Sequence, residues 1–214
     1  MAQIAAVTGK LLLLNNNLHF LHYPHYMAKF NSYIEHPEID RWRELCINEG
    51  ELYRYSKGEE FVSIGRVARY IGYVKSGTLK YIAYDDCGME HVVGLEFAGE
   101  FVADFPFSLR EEPSLVSIVA DSPCEIYCYS VRSIADRIKT DVKLSDLVAL
   151  STELLFSQTY SRYISLYCKT PEQRYQMLVS RYPDIFNMFS LKDIASYLNI
   201  TPTYLSRIRK KLAQ

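Results

Sequence analysis

The chain has 214 residues, 49% of them apolar and 23% charged, with a net charge of −1, the make-up of an ordinary globular protein with a core to bury. No apolar run reaches the roughly 18 residues of a membrane span: the longest, Leu11 to Leu14, is closed off by Lys10 and Asn15. The charge is unevenly placed, with seven cations against three anions from Thr170 onward and 17 against 22 before it, so only the end of the chain is suited to a polyanion.

Residues 1–26 show no clean period, and Met27 opens a more ordinary stretch, which makes Met27 a second possible start. His19, His22 and His25 recur every third residue, but Pro24 breaks any helix that would align them, and no metal site is expected. No secretory leader is expected either, because the apolar stretch is short and lacks a preceding basic region; the expected compartment is the cytosol. The five cysteines form no CxxC pair, so neither a disulfide framework nor a zinc knuckle is predicted. Cys124 and Cys128 lie in "CEIYCYSV", which alternates like a strand and would hold their Cα atoms about 13 Å apart, too far to bridge.

A helix is predicted around Ile39 to Cys46. From Leu52 to Tyr129 the chain is rich in Tyr, Val, Ile and Phe, with Gly77, Gly88 and Gly99 eleven residues apart. Short strands punctuated this evenly predict an all-β sandwich or barrel, with glycine supplying the positive φ of its corners. From Ser130 the period becomes helical. "VKLSDLVALSTELLFSQTYSRYISLYCK" contains no Pro or Gly, and Leu147, Leu150, Leu154, Ser157, Ser161, Ile164 and Cys168 form one row. Val148, Leu155 and Leu166 form a second row, and the expectation is that one row lies on the β-domain while the other faces a second copy, the alternative being burial of both inside one subunit. "KTPEQR" then starts a new helix, capped by Thr170 with Pro171 at its first position.

The last segment, "DIASYLNITPTYLSRIRKKLAQ", has helix-turn-helix spacing. Ser190 caps a helix carrying Ile194 and Leu198, with small Ala195 where two helices cross closely. Asn199 takes the left-handed turn, Ile200 fills the gap, and Thr201 and Pro202 start the second helix, whose Leu205, Ile208 and Leu212 point to the core. That leaves Thr203, Tyr204, Ser206, Arg207, Lys210 and Lys211 outward. Arg207 has the fork that reads guanine O6 and N7, Thr203 and Tyr204 can reach base edges or phosphate, and Lys210 and Lys211 suit phosphate. Together with the caps Ser190 and Thr201 these form the candidate DNA-binding set. No GxGxxG, GxSxG, P-loop or HExxH occurs, and no catalytic residue is predicted.

With β-block, long helix and helix-turn-helix in this order, the chain from Met27 to Gln214 resembles the Crp/Fnr superfamily of transcriptional regulators. The resemblance rests on "YVKSGTLK", "GLEFAGEFVAD" and "DIASYLNITPTYLSRIRKKL". It implies an α+β chain: an N-terminal extension (1–26), a jelly-roll sensor of the cyclic-nucleotide-binding type (27–140), a dimerisation helix (141–168) and a helix-turn-helix domain (169–214). It also implies transcriptional control rather than catalysis, with duplex DNA, a second copy, RNA polymerase and an unidentified small-molecule effector as partners. Where cyclic-nucleotide-binding members carry a Gly-Glu pair for ribose and an Arg-Ser pair for phosphate, this chain has Ala103 and Asp104, then Ser114 and Leu115. Arg110 is the one cation in the intervening loop, and Thr159 and Tyr160 of the long helix belong to the same implied pocket. An uncompensated buried phosphate costs several kcal/mol, so tight cyclic AMP binding is not expected. Nor is an iron-sulfur or haem sensor: only Cys46 lies near the N-terminus, and Cys87 with His91 is the only pair placed for axial ligation. The rival reading is a ligand- or partner-binding module of this type without sequence-specific DNA binding.

Overall fold

The structure, a computed structural model, describes residues 31–212; the histidine series, Met27 and the N-terminal extension lie outside them. Two 3-10 turns, Ser32–Glu35 and Pro37–Ile39, lead into helix α1 (Asp40–Glu49), later than the predicted start because Pro37 and Ile39 tighten the entry. Eight strands follow: β1 (Glu51–Tyr55), β2 (Glu60–Val62), β3 (Tyr70–Ser76), β4 (Thr78–Tyr84), β5 (Glu90–Phe97), β6 (Phe101–Val102), β7 (Ser117–Ala120) and β8 (Cys124–Ser130). They pair antiparallel in two four-stranded sheets, ordered β1-β8-β3-β6 and β2-β7-β4-β5, the jelly-roll arrangement. Gly77, Gly88 and Gly99 all have positive φ (92°, 76° and 86°). At Gly77 a Cβ would also sit 2.4 Å from the Pro123 carbonyl oxygen, so both conformation and space require glycine there.

Val74, Leu79, Val102, Ile118 and Ile126 fill the space between the sheets without exposure. Cys124 and Cys128 join this core as free thiols. Outside the first sheet, α1 and helix α2 (Val131–Arg137) pack with the long helix α3 (Val142–Cys168) around Trp42, Ile71, Ile134, Leu144 and Leu147. Trp42 Nε1 donates to Ser151 Oγ (2.8 Å), which donates in turn to the Leu147 carbonyl (2.7 Å), so the indole is buried with its donor satisfied.

The two apolar rows read from α3 do not divide as expected. Val148, Leu154 and Leu155 all pack on this same core, whereas the face left to solvent carries Phe156, Tyr160, Tyr163 and Tyr167, between 53% and 75% exposed. Phe156 stacks on Tyr160 (5.7 Å, 7°) and Tyr163 lies 5.0 Å from Tyr167, forming an aromatic stripe at helical spacing.

Beyond α3 come α4 (Pro171–Arg181), α5 (Ile185–Met188), α6 (Leu191–Tyr197) and α7 (Pro202–Leu212). Thr170 starts α4 with a capping box closed by Gln173. The core of this C-terminal unit continues into the sensor: Val92, Leu95 and Phe97 of β5 belong to one cluster with Leu178, Ile185, Phe189, Ile194 and Leu205. Phe97 lies 4.1 Å from Tyr182 and edge-on to Phe189 at 5.4 Å. No helix among the described residues is long and apolar enough to cross a membrane, and no group of three or more His, Cys, Asp or Glu there could hold a metal ion.

Candidate nucleic-acid interface and effector cavity

The helix-turn-helix is built from local rules. Asp193 N donates to Ser190 Oγ (3.1 Å) and Tyr204 N to Thr201 Oγ1 (3.2 Å), so both helices begin on hydroxyl caps. Between them Asn199 takes φ 54°, and the Ile200 amide returns to the Ala195 carbonyl (3.0 Å). Ile194, Ala195 and Leu205 are fully buried where α6 crosses α7. Thr201, Thr203, Tyr204, Ser206, Arg207, Lys210 and Lys211 are all exposed, as is Ser190. Leu212, expected in the core, is 42% exposed, because the helix runs past its last supporting neighbour after Ile208.

Two members of the surface are held in place. The Tyr204 hydroxyl donates to Glu172 Oε1 (3.1 Å) in the first turn of α4, which ties the start of α7 to the preceding helix. Its own backbone amide first, and then the Tyr204 hydroxyl, hold the Glu172 carboxyl below its ordinary range. Arg209 lies over the Phe186 ring at 4.1 Å and is turned away from the Arg207, Lys210 and Lys211 side.

The sensor grips α6 directly. Lys80 Nζ sits between Asp193 (3.0 Å) and Asp121 (3.2 Å), all three nearly buried. Burial alone would lower the Lys80 pKa, but the two aspartates more than offset it and the ammonium is held above its ordinary value. Val92 N donates to Ser196 Oγ (2.8 Å). Arg162 of α3 lies flat over Tyr197 (3.8 Å), donates to the Tyr197 carbonyl (2.9 Å) and also reaches the Val93 carbonyl of β5. Arg174 of α4 donates to the next carbonyl, Leu198 (3.1 and 3.3 Å).

Beside these contacts, bounded by β5, α3, α4 and the end of α6, is a cavity of about 640 Å³, within the range of small-molecule sites. Of the seven residues assigned to an effector pocket, Ala103 and Thr159 line it; Asp104, Arg110, Ser114, Leu115 and Tyr160 do not. Arg110 instead points outward and pairs with Glu112 (2.8 and 2.9 Å). Asp104 is buried with one oxygen unpartnered, and desolvation raises its pKa. Sequence reasoning missed Glu96, Gln158, Arg162, Arg174 and Arg181, which do line the cavity.

Glu96 is one half of a buried pair with Glu100. Asn31 Nδ2 lies 2.8 Å from both carboxyl groups, and Glu100 also accepts from the backbone amides of Asn31 (3.2 Å) and Phe97 (3.1 Å). Gln158 Nε2 donates to Asn31 Oδ1 (2.7 Å), carrying the network to α3. Desolvation first, then the neighbouring Glu100, raises the Glu96 pKa well above normal, while Glu100 rises through burial against its backbone donors. Burial thus favours the neutral form at both carboxyls, and at Glu96 the more strongly.

Residues 52–141 match the family model of the cyclic nucleotide-binding domain. No curated protein matches the chain. Among solved structures, FixK2 from Bradyrhizobium japonicum is 19% identical, with 77% of this chain and 84% of that one covered at a TM-score of 0.64. A putative Crp/Fnr-family transcriptional regulator from Eubacterium rectale is 14% identical over 81% and 82% of the two chains, TM-score 0.64. The c-di-GMP-responsive global regulator CLP of Xanthomonas campestris is 18% identical over 82% and 90%, TM-score 0.59. The chain shares the fold of these regulators across sensor, long helix and C-terminal helices.

Proposed function

We propose that this chain is a DNA-binding transcriptional regulator of the Crp/Fnr type, cytoplasmic, acting as a two-fold dimer and controlled by a small molecule taken into the cavity beside α6. The carrying observation is the surface of α7: Thr203, Tyr204, Ser206, Arg207, Lys210 and Lys211 are all exposed on a helix whose other face is buried. An exposed, capped, cationic second helix is what major-groove reading requires. The aromatic stripe on α3 supplies a self-complementary surface, and a two-fold axis along it would present two copies of α7 about one helical turn apart. RNA polymerase is the further partner of such a regulator. Cyclic AMP is a poor fit, since the one arginine of segment 103–115 is engaged outward by Glu112.

The test is selection of bound fragments from random duplex DNA by the purified protein, repeated with Arg207→Ala. The expected result is an enriched site with two related halves, and for the variant a loss of about 1–3 kcal/mol with relaxed preference at one base. Absence of any enrichment would favour a partner-binding module on the same fold.

A further inference from the structure

The cavity has one feature that the DNA reading does not use. Arg162 from α3 and Arg174 from α4 converge on adjacent carbonyls, Tyr197 and Leu198, at the end of the first helix of the helix-turn-helix, and Arg181 lines the same cavity. Among the described residues none of the three is ion-paired with a carboxylate. Among the described residues the hydrogen-bond partners of Arg162 and Arg174 are neutral carbonyl oxygens, and no hydrogen bond from Arg181 is seen. Leu155, Leu166, Met177 and Leu178 give the same space an apolar wall.

We infer that this cavity binds a small organic oxyanion with an apolar body, and that the bound anion releases the arginine strap that holds α6 to strand β5. The inference rests on the reading of the cavity as the effector site. A hydrogen bond from guanidinium to an ionised oxygen is roughly twice as strong as one to a neutral carbonyl, and the fork can meet a carboxylate or phosphate two bonds at a time. An anion in the cavity therefore competes directly with the Val93, Tyr197 and Leu198 carbonyls for Arg162 and Arg174. Among the described residues the one acidic side chain lining the cavity is Glu96, and burial favours its neutral form over an opposing charge. Withdrawal of the strap leaves α6 attached to β5 through the apolar cluster of Ile194 and Ala195, through Ser196 and through the Lys80 ion pairs, with more freedom at its C-terminal end, where the turn to α7 begins. The ligand thus acts on the angle of the reading helix without touching it.

The full chain is titrated with anilinonaphthalene sulfonate, which joins an oxyanion to an apolar body, and amide exchange is followed by mass spectrometry in the same samples. Saturable fluorescence is expected, displaced by excess inorganic phosphate and weakened about tenfold by Arg162→Gln and by Arg181→Gln. Exchange at residues 197–199, beside the released carbonyls, should quicken when the probe is bound, while Val92, still held by Ser196, should not. Arg181→Gln removes no hydrogen bond among the described residues, so its effect is readable even if Arg162→Gln is unstable. Equal binding by Arg181→Gln and the parent would place the probe elsewhere, and binding without faster exchange at residues 197–199 would remove the strap; either overturns the inference. No DNA is present, so the result stands or falls apart from the DNA reading.

Discussion

Replacing Lys210 by alanine tests the DNA-binding surface through salt. Each α7 exposes Arg207, Lys210 and Lys211, while Arg209 is turned onto Phe186. If each subunit of a dimer neutralises two or three phosphates, the slope of log affinity against log salt is roughly −4 to −5. Between about 50 and 200 mM salt this corresponds to a loss of affinity on the order of 500-fold. Lys210→Ala removes one phosphate contact per subunit, which reduces the slope by about 1.8 and the loss over the same interval to roughly 40-fold. Arg209→Ala serves as the internal control: it should leave the slope unchanged and lower stability instead, through the lost stacking on Phe186. Fluorescence anisotropy with a selected duplex, repeated across the salt series, measures all three. A parent slope near zero, or an unaltered slope in Lys210→Ala, refutes the assignment of α7 to the phosphate backbone.

Glu96→Gln should gain thermal stability relative to the parent as pH rises. Burial raises the Glu96 pKa in the folded parent, so the stability its neutral form contributes is fully present below the unfolded value of about 4.3 and drains away as pH rises through the folded one, whereas the amide never titrates; a melting-temperature gap that stays flat from pH 4 to 8 contradicts this. Ser151→Ala strands the Trp42 indole donor in the core and should cost about 1–3 kcal/mol by urea unfolding; a change below about 0.5 kcal/mol would mean that the donor finds another partner. Burial pushes the Cys46 and Cys128 thiols up to about 12 and raises Cys124, while Cys87 and Cys168 are exposed. Native alkylation should therefore modify the latter two alone, as counted by intact mass. Tyr163→Asp, placed in the aromatic stripe, should shift sedimentation from dimer toward monomer, and a parent that already sediments as a monomer would contradict the two-fold arrangement.

The parts of this fold that were legible in the sequence are those fixed within a few residues. Ser190, Thr201 and Asn199 announce a cap, a second cap and a left-handed turn through bonds that span three to five positions, and the corner glycines act within a single turn. A β-sandwich or barrel followed from strand spacing and the jelly roll from the family resemblance, although a two-residue strand such as β6 exists only because β3 pairs with it. The cavity was illegible because Arg162, Arg174 and Tyr197 meet through tertiary packing that no spacing encodes. The aromatic stripe had the right period but was passed over for leucine rows. Tyrosine combines an apolar ring with a wettable tip, so its place at a surface cannot be told from hydropathy alone. The buried Glu96–Glu100 pair reads in the sequence as an ordinary acidic turn, and only the enclosure supplied by Asn31 and α3 makes it a shared proton site.

The apolar cluster common to β5 and the C-terminal helices means that the C-terminal unit is not a detachable head. Severed at residue 169, it would present Leu178, Ile185 and Phe189 to water with nothing in place of Val92, Leu95 and Phe97. A chimera that grafts this unit onto a foreign β-domain would have to carry strand Glu90–Phe97 with it, because the seam joins the two halves directly and no linker stands between them.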